Sequence, residues 1–160
     1  MSSQKKPSTD NSDIISIAEN RRARYDYALL DTYECGIVLV GTEVKSLREK
    51  RVNFSDAYAL VKGGEIFLIG LQIQLYAHGT HTNHEIERTR KLLLHKKEIE
   101  KIIRETQKKG HTLVPVKLYF KKGRAKVLIA TAVGKTHEDK RDDIKKREAD
   151  REVSRVLRRG

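Results

Sequence analysis

The sequence of 160 residues holds little from which to build a covalent scaffold or a membrane anchor. Its one cysteine, Cys35, cannot close an intrachain disulfide, and no apolar run approaches the ~18 residues that a membrane span needs. The opening stretch MSSQKKPSTDNSD lacks the apolar centre of a secretory signal peptide, so a cytoplasmic location is expected. A nucleophile elbow, a Gly-rich phosphate loop and a paired-carboxylate motif are absent too, and no pattern demands an enzyme or a cofactor. Cys35 lies beside Tyr33 and Ile37 in a β-patterned stretch with no flanking His or basic cluster to lower its pKa, and reads as a small buried packing group.

Base, by contrast, is plentiful. Lys and Arg number 34 against 22 Asp and Glu, a formal +12 and a sequence pI near 9.8, so much of the surface should attract polyanions, nucleic acid first among them. With 38% apolar and 35% charged residues, the chain suits one domain with segments outside the core.

Residues 1–13 carry no periodic apolar signal and read as a disordered leader. From Tyr25 to Val40, apolar residues at even spacing predict a long first strand, bent or bulged at Gly36. Thr42 is placed to cap a short helix over Val44 and Leu47 that ends near Lys50. The stretches 55–62 and 65–73 predict a hairpin turning at Gly63-Gly64, whose second arm, Ile66 to Ile69, should be covered on both faces. The polar, His-rich region 76–90 reads as a surface loop. A helix over 95–109 follows, with Ile99, Ile102 and Ile103 on one face and Gly110 past its end. Two strands close the domain, turning at Lys122-Gly123, and Pro115 suggests that the first is an edge strand or starts late. The expectation is an α+β, mainly β fold: a small antiparallel OB-fold-like barrel over 14–134, flanked by two or three helices.

Residues 135–160 form a basic tail with 10 of the Lys and Arg and 7 of the Asp and Glu, which leaves +9 on residues 1–134. Too few apolar residues remain there to build a core, so the tail is expected to be disordered alone and to fold on RNA. At 100° per residue, Lys140, Ile144, Arg147, Arg151, Arg155 and Arg158 fall on one stripe, with Ala149, Val153, Val156 and Leu157 roughly opposite. A stripe of cations matches a phosphate backbone along a groove, whereas a plain solvated helix would scatter them. Arg21, Arg22 and Arg24 with Tyr25 and Tyr27, and Arg88 and Arg90 with Lys91, mix cations with aromatic or apolar neighbours as unpaired RNA requires. His78, His81 and His84 with Glu85 suggest a metal site only weakly; polar loop residues near RNA are the better reading.

Read together, Asn20-Arg21-Arg22-Ala23-Arg24, Tyr33-Glu34-Cys35-Gly36, Gly41-Thr42-Glu43-Val44-Lys45-Ser46-Leu47-Arg48, Arg88-Thr89-Arg90-Lys91-Leu92-Leu93-Leu94 and Asp139-Lys140-Arg141 closely resemble the SmpB family, in order from about Ile17 onward. The resemblance implies a non-enzymatic factor whose OB-like barrel grips the tRNA-like domain of tmRNA (SsrA RNA) and delivers it to ribosomes stalled on messages without a stop codon. It carries the tmRNA-binding role to Glu34, Arg90, Leu93, His95 and Lys126, and draws in Lys45, Arg48 and His84 beside them. Lys135, His137, Asp139, Lys140 and Arg141 would enter the small-subunit decoding centre, and the tail, helical on the ribosome, would line the mRNA channel. Alanyl-tmRNA with elongation factor Tu is an expected partner, and the protein should be monomeric apart from RNA. Three positions depart from the family pattern. Thr42 stands where Trp is common, Glu85-Ile86 replaces Asp-Pro, and Glu138 precedes Asp139, leaving open whether His137 takes the stacking role. The alternatives are a general RNA chaperone or ribosome-associated RNA-binding protein, and a metal-dependent nuclease using the His loop.

Overall fold

The computed structural model describes residues 13–78 and 83–159, together with the backbone but not every side chain of the last helix. The leader assigned to residues 1–13 therefore lies, except for Asp13, outside the described residues.

Among the described residues nine strands and four helices follow in the order β1 (Ile14–Glu19), α1 (Arg21–Asp26), β2 (Tyr27–Ile37), α2 (Gly41–Arg48), β3 (Val52–Asn53), β4 (Tyr58–Lys62), β5 (Glu65–Ile69), β6 (Gln72–Ile73), β7 (Arg90–Leu93), α3 (Lys96–Thr106), β8 (His111–Lys121), β9 (Arg124–Gly134) and α4 (His137–Arg159). Seven strands form one antiparallel sheet in the order β1-β8-β4-β5-β7-β2-β9, and β9 pairs back with β8. The sheet is thus a partial ring rather than a clean barrel. The joint of β4 to β8 is the single pair Ala59 and Leu113, and β2 meets β7 through only Gly36–Leu93 and Ile37–Leu92.

Both hairpin turns follow from backbone sterics. Gly63 and Gly64 have φ of 60° and 75°, and Lys122 and Gly123 have 50° and 76°, so both central residues adopt the left-handed conformation that matches strand twist in two-residue loops. The interior is filled by Cys35, Leu47, Ile66, Leu68, Leu71, Ile73, Leu118, Val127 and Ile129, and α3 contributes Ile102. Burial, then the Glu98 and Glu34 carboxylates, pushes the Cys35 thiol up to about 12, which keeps it a protonated packing group.

Four local expectations are corrected. The segment carrying Arg21 to Tyr25 is a helix, started by Asn20, whose side chain accepts from the Ala23 N–H at 3.2 Å and donates to the Pro115 carbonyl at 2.9 Å. The β2 register shifts between Leu29 and Thr32, not at Gly36; a Cβ at 36 would stand 3.3 Å from Leu93 Cβ, so that half-exposed side chain would have to give by a few tenths of an ångström. Thr42 does not cap α2. Val40 precedes the helix, and Glu43 Oε1 reaches back to its N–H at 2.9 Å. Finally, Pro115 lies in a strand with neighbours on both sides, where β4 has left that edge of β8 and β1 has yet to join it, so its missing donor breaks no ladder bond there.

Candidate nucleic-acid interface

The polar residues of the sheet's outer face come from three strands that register brings together. Gly36 on β2 opposes Lys126 on β9, which opposes Tyr119 on β8, while Glu34, two residues before Gly36, shares its face by strand alternation. Glu34 accepts a hydrogen bond from the Tyr119 hydroxyl and one from Lys121 Nζ at 3.4 Å, and Lys117 Nζ lies 5.5 Å from the Tyr119 ring centroid. Burial works against the Glu34 carboxylate, but the hydrogen bonds from Tyr119 and Lys121 and the charges of Lys121 and Lys126 hold its carboxyl below the usual range. An ionised acceptor is therefore fixed within a cationic face.

Beside it, a shallow groove of about 320 Å³ runs over Gly36, Leu39, Val44, Leu93 and Phe120, with Arg124 and Lys126 at its rim. Leu93 is half exposed. An apolar floor with cations along the edge is the surface that holds an unpaired base together with its phosphate. His95, two residues on, is exposed and precedes α3, where its backbone N–H donates to Glu98 Oε1 at 3.2 Å.

Arg90 and His84 lie elsewhere. Arg90 has no exposed surface, so it is not the phosphate ligand that its basic neighbourhood suggested. Its guanidinium donates to Glu43 Oε2, to the Leu71 carbonyl at 2.7 Å and to the Ile86 carbonyl at 3.2 Å. Glu43 is fully buried as well and also accepts from Arg88 at 2.6 Å. Burial disfavours its charge, yet the bonds from Arg88, the Val40 N–H and Arg90 keep its carboxyl below the ordinary value of 4.5. This cluster ties α2 to the loop that leads into β7, which sets where Leu93 emerges. His84 is buried too: its Nε2 donates to the Ile73 carbonyl at 2.9 Å, leaving Nδ1 to accept from the Thr42 hydroxyl at 2.9 Å. Thr42 thus becomes a partner for the loop histidine. Lys45, its Nζ 5.4 Å from the Tyr76 ring centroid, and Arg48 remain exposed on α2, while Lys91 pairs with Glu65 at 2.8 Å.

The third group belongs to α1. Ala23 packs against Val114 and Ala132, with Tyr27 and Leu29 at the margin, which turns Arg21 and Arg24 outward. Arg22 pairs with Asp26 at 3.4 Å and Asp56 at 3.3 Å. The tail joins here. The Lys135 N–H donates to the Asp26 carbonyl at 2.8 Å, and Lys135 Nζ to the Arg24 carbonyl at 2.9 Å. Lys140 pairs with Asp26 at 3.2 Å, its Nζ 5.3 Å from the Tyr25 ring centroid. Beyond this anchor, Arg141, Ile144, Arg147, Arg151 and Arg155 are exposed along α4. The side chains of His137, Asp139 and Arg158 lie outside the described residues, as does all of His81.

Among the described residues no group of His, Cys, Asp and Glu is arranged to hold a metal, and no helix is long and apolar enough to cross a membrane. Tyr119, Lys117 and Lys121 belong to no motif that marks them in the sequence. Their alternation along β8 is visible, but only the pairing with β9 and β2 shows that they surround Glu34.

Residues 17–159 match the SmpB protein family. An SsrA-binding protein of Enterococcus faecalis is 54% identical over 142 residues, covering 89% of this chain and 92% of its own length. One from Thermobifida fusca is 56% identical and covers 90% of both chains. The fold is similar to a solved chain from the work described as "tmRNA-SmpB: a journey to the center of the bacterial ribosome", with a TM-score of 0.64 and 47% identity over 79% of this chain and 93% of that one.

Proposed function

The chain belongs to the SmpB family, and from that premise we propose how its surfaces divide the work of an RNA-binding factor. It binds tmRNA in trans-translation on the ribosome. The observation that carries the reading is the family match over residues 17–159, joined to a sheet face where an ionised Glu34 is held among Tyr119, Lys121 and Lys126.

The tRNA-like domain of tmRNA lies on that face. Lys121 and Lys126 contact phosphate, the groove beside Leu93 and His95 takes an unpaired nucleotide, and Glu34 accepts from base amino groups. Arg90 acts by position, through Glu43 and the loop before β7, and His84 through Thr42 and Ile73. Lys45, Arg48, Arg88 and Lys91 extend the cationic margin. The tail serves the ribosome: beyond Lys135 and Lys140, which hold it on α1, His137, Asp139 and Arg141 enter the decoding centre, and the stripe Ile144, Arg147, Arg151, Arg155 and Arg158 follows the mRNA channel. Elongation factor Tu, carrying alanyl-tmRNA, joins the same complex in the cytoplasm. The protein makes and breaks no bonds itself. Its contribution is placement.

Capture of the tagged protein from a bacterial lysate, followed by RNA sequencing, tests the reading. One dominant tRNA-like RNA is expected, whereas many unrelated structured RNAs in comparable amounts would favour the general chaperone. Removing residues 135–160 should abolish tagging of stalled chains and leave tmRNA affinity within about tenfold, since most of the binding residues lie in the sheet. A loss well beyond that would overturn the division of labour.

A further inference from the structure

Lys140 and Arg147 are separated by two turns of α4, so they leave it on one side, about 10 Å apart along the axis. Lys140 is committed to Asp26 and Tyr25 of α1. The same side therefore faces α1 at Arg147, and there Glu19, Asn20, Arg21, Arg24 and Arg147 line a cleft of about 290 Å³. Asn20 is spent on capping α1 and on Pro115. Among the described residues none of the three arginine side chains forms an ion pair or a side-chain hydrogen bond, and Glu19 is the one carboxylate in the lining. Docking α4 thus brings a third guanidinium to two that already repel it, and an anion between them relieves the excess charge.

We propose that α1 and α4 together form a phosphate site, lined by Arg21, Arg24 and Arg147, which takes a backbone phosphate of tmRNA and exists only while Lys140 holds α4 against α1. This rests on the tmRNA-binding function stated above. Guanidinium forks fit phosphate oxygens in pairs, and three forks from two elements fix a phosphate more closely than one helix can. Part of the tail then belongs to the tmRNA interface as well as to the ribosome.

The test is the salt dependence of binding to a transcript of the tmRNA tRNA-like domain, measured with the full chain. Arg147→Ala should lower the slope of log affinity against log salt by about 0.9 and weaken binding about fivefold near 0.15 M salt. Lys145→Ala removes the same charge from the opposite side of α4 and should leave both unchanged. Asp26→Ala makes the protein more positive, so charge alone predicts tighter binding; undocking α4 should instead weaken it as Arg147→Ala does, and the two together should cost no more than one. Equal losses from Arg147→Ala and Lys145→Ala, no loss from Arg147→Ala, or tighter binding by Asp26→Ala would each overturn the site. Thermal unfolding checks that each variant is folded. If Lys126→Ala weakens binding while Arg147→Ala does not, the site fails and the function stands. A wild-type chain that binds an unrelated hairpin equally well would instead sink the function.

Discussion

The sheet face and the tail are both basic, but they are built by opposite means. On the face, Glu34, Tyr119, Lys121 and Lys126 come from three strands, and the contact between Glu34 and Tyr119 spans 85 positions of sequence. Along α4 the cations are set by helical pitch alone, with Lys135 and Lys140 as its anchors on α1. The face can therefore present a fixed arrangement of an ionised acceptor, donors and an apolar groove, which is what discrimination among RNAs requires. The tail presents a repeat, suited to a repeating phosphate backbone.

The comparison breaks most visibly at the buried charges. Arg90→Ala leaves Glu43 buried with only Arg88 and the Val40 N–H, and should destabilise the fold by about 3–5 kcal/mol in urea unfolding. Glu43 also gives the fold a pH signature. Its carboxyl sits below its ordinary value in the folded state, so its contribution is present above pH ~4.5 and fades as pH falls through the lower folded value. Glu43→Gln should flatten that acid limb. No substitution of an exposed tail arginine should approach this loss, and one that did would erase the contrast.

The tail's order is tested by moving its charges rather than removing them. Exchanging Arg151 with Glu152 and Arg155 with Val156 preserves composition but rotates two cations by about 100°. Tagging of stalled chains should fall by about tenfold or more in a reconstituted translation system, if each misplaced cation forfeits about one phosphate contact. Free tmRNA binding should be unaffected. Normal tagging would reduce the tail to its net charge.

The smallest effect sharpens the face. Tyr119→Phe deletes one donor to Glu34, so the Glu34 carboxyl should titrate at higher pH by carbon NMR, and tmRNA binding should weaken by about 1 kcal/mol, the worth of a hydrogen bond to a charged group after its exposure is discounted. An unmoved titration would show that Lys121 and Lys126 suffice to hold Glu34 ionised.

Local pattern went far towards the fold. The hairpins at Gly63-Gly64 and Lys122-Gly123, the α3 face of Ile99, Ile102 and Ile103, and the stripe along α4 are all legible, because turn sterics and the periods of strand and helix act over a few neighbours. The short helix α1 was hidden, since its one aromatic residue, Tyr25, continues an even spacing into β2; what sets it is Asn20 reaching Pro115 and Ala23 packing on Val114 and Ala132.

By itself the sequence determined that this is a basic, RNA-directed chain with a mainly β domain and a striped tail, since charge and periodicity are written residue by residue. Only the tertiary structure decided which basic residues can meet RNA. Arg90 and Lys126 look alike in the sequence, yet one is enclosed with Glu43 and the other lies on the face beside Tyr119. The difference arises from strand register and from the desolvation that makes a buried guanidinium bind the nearest carboxylate and carbonyls, and both depend on segments far apart in the chain.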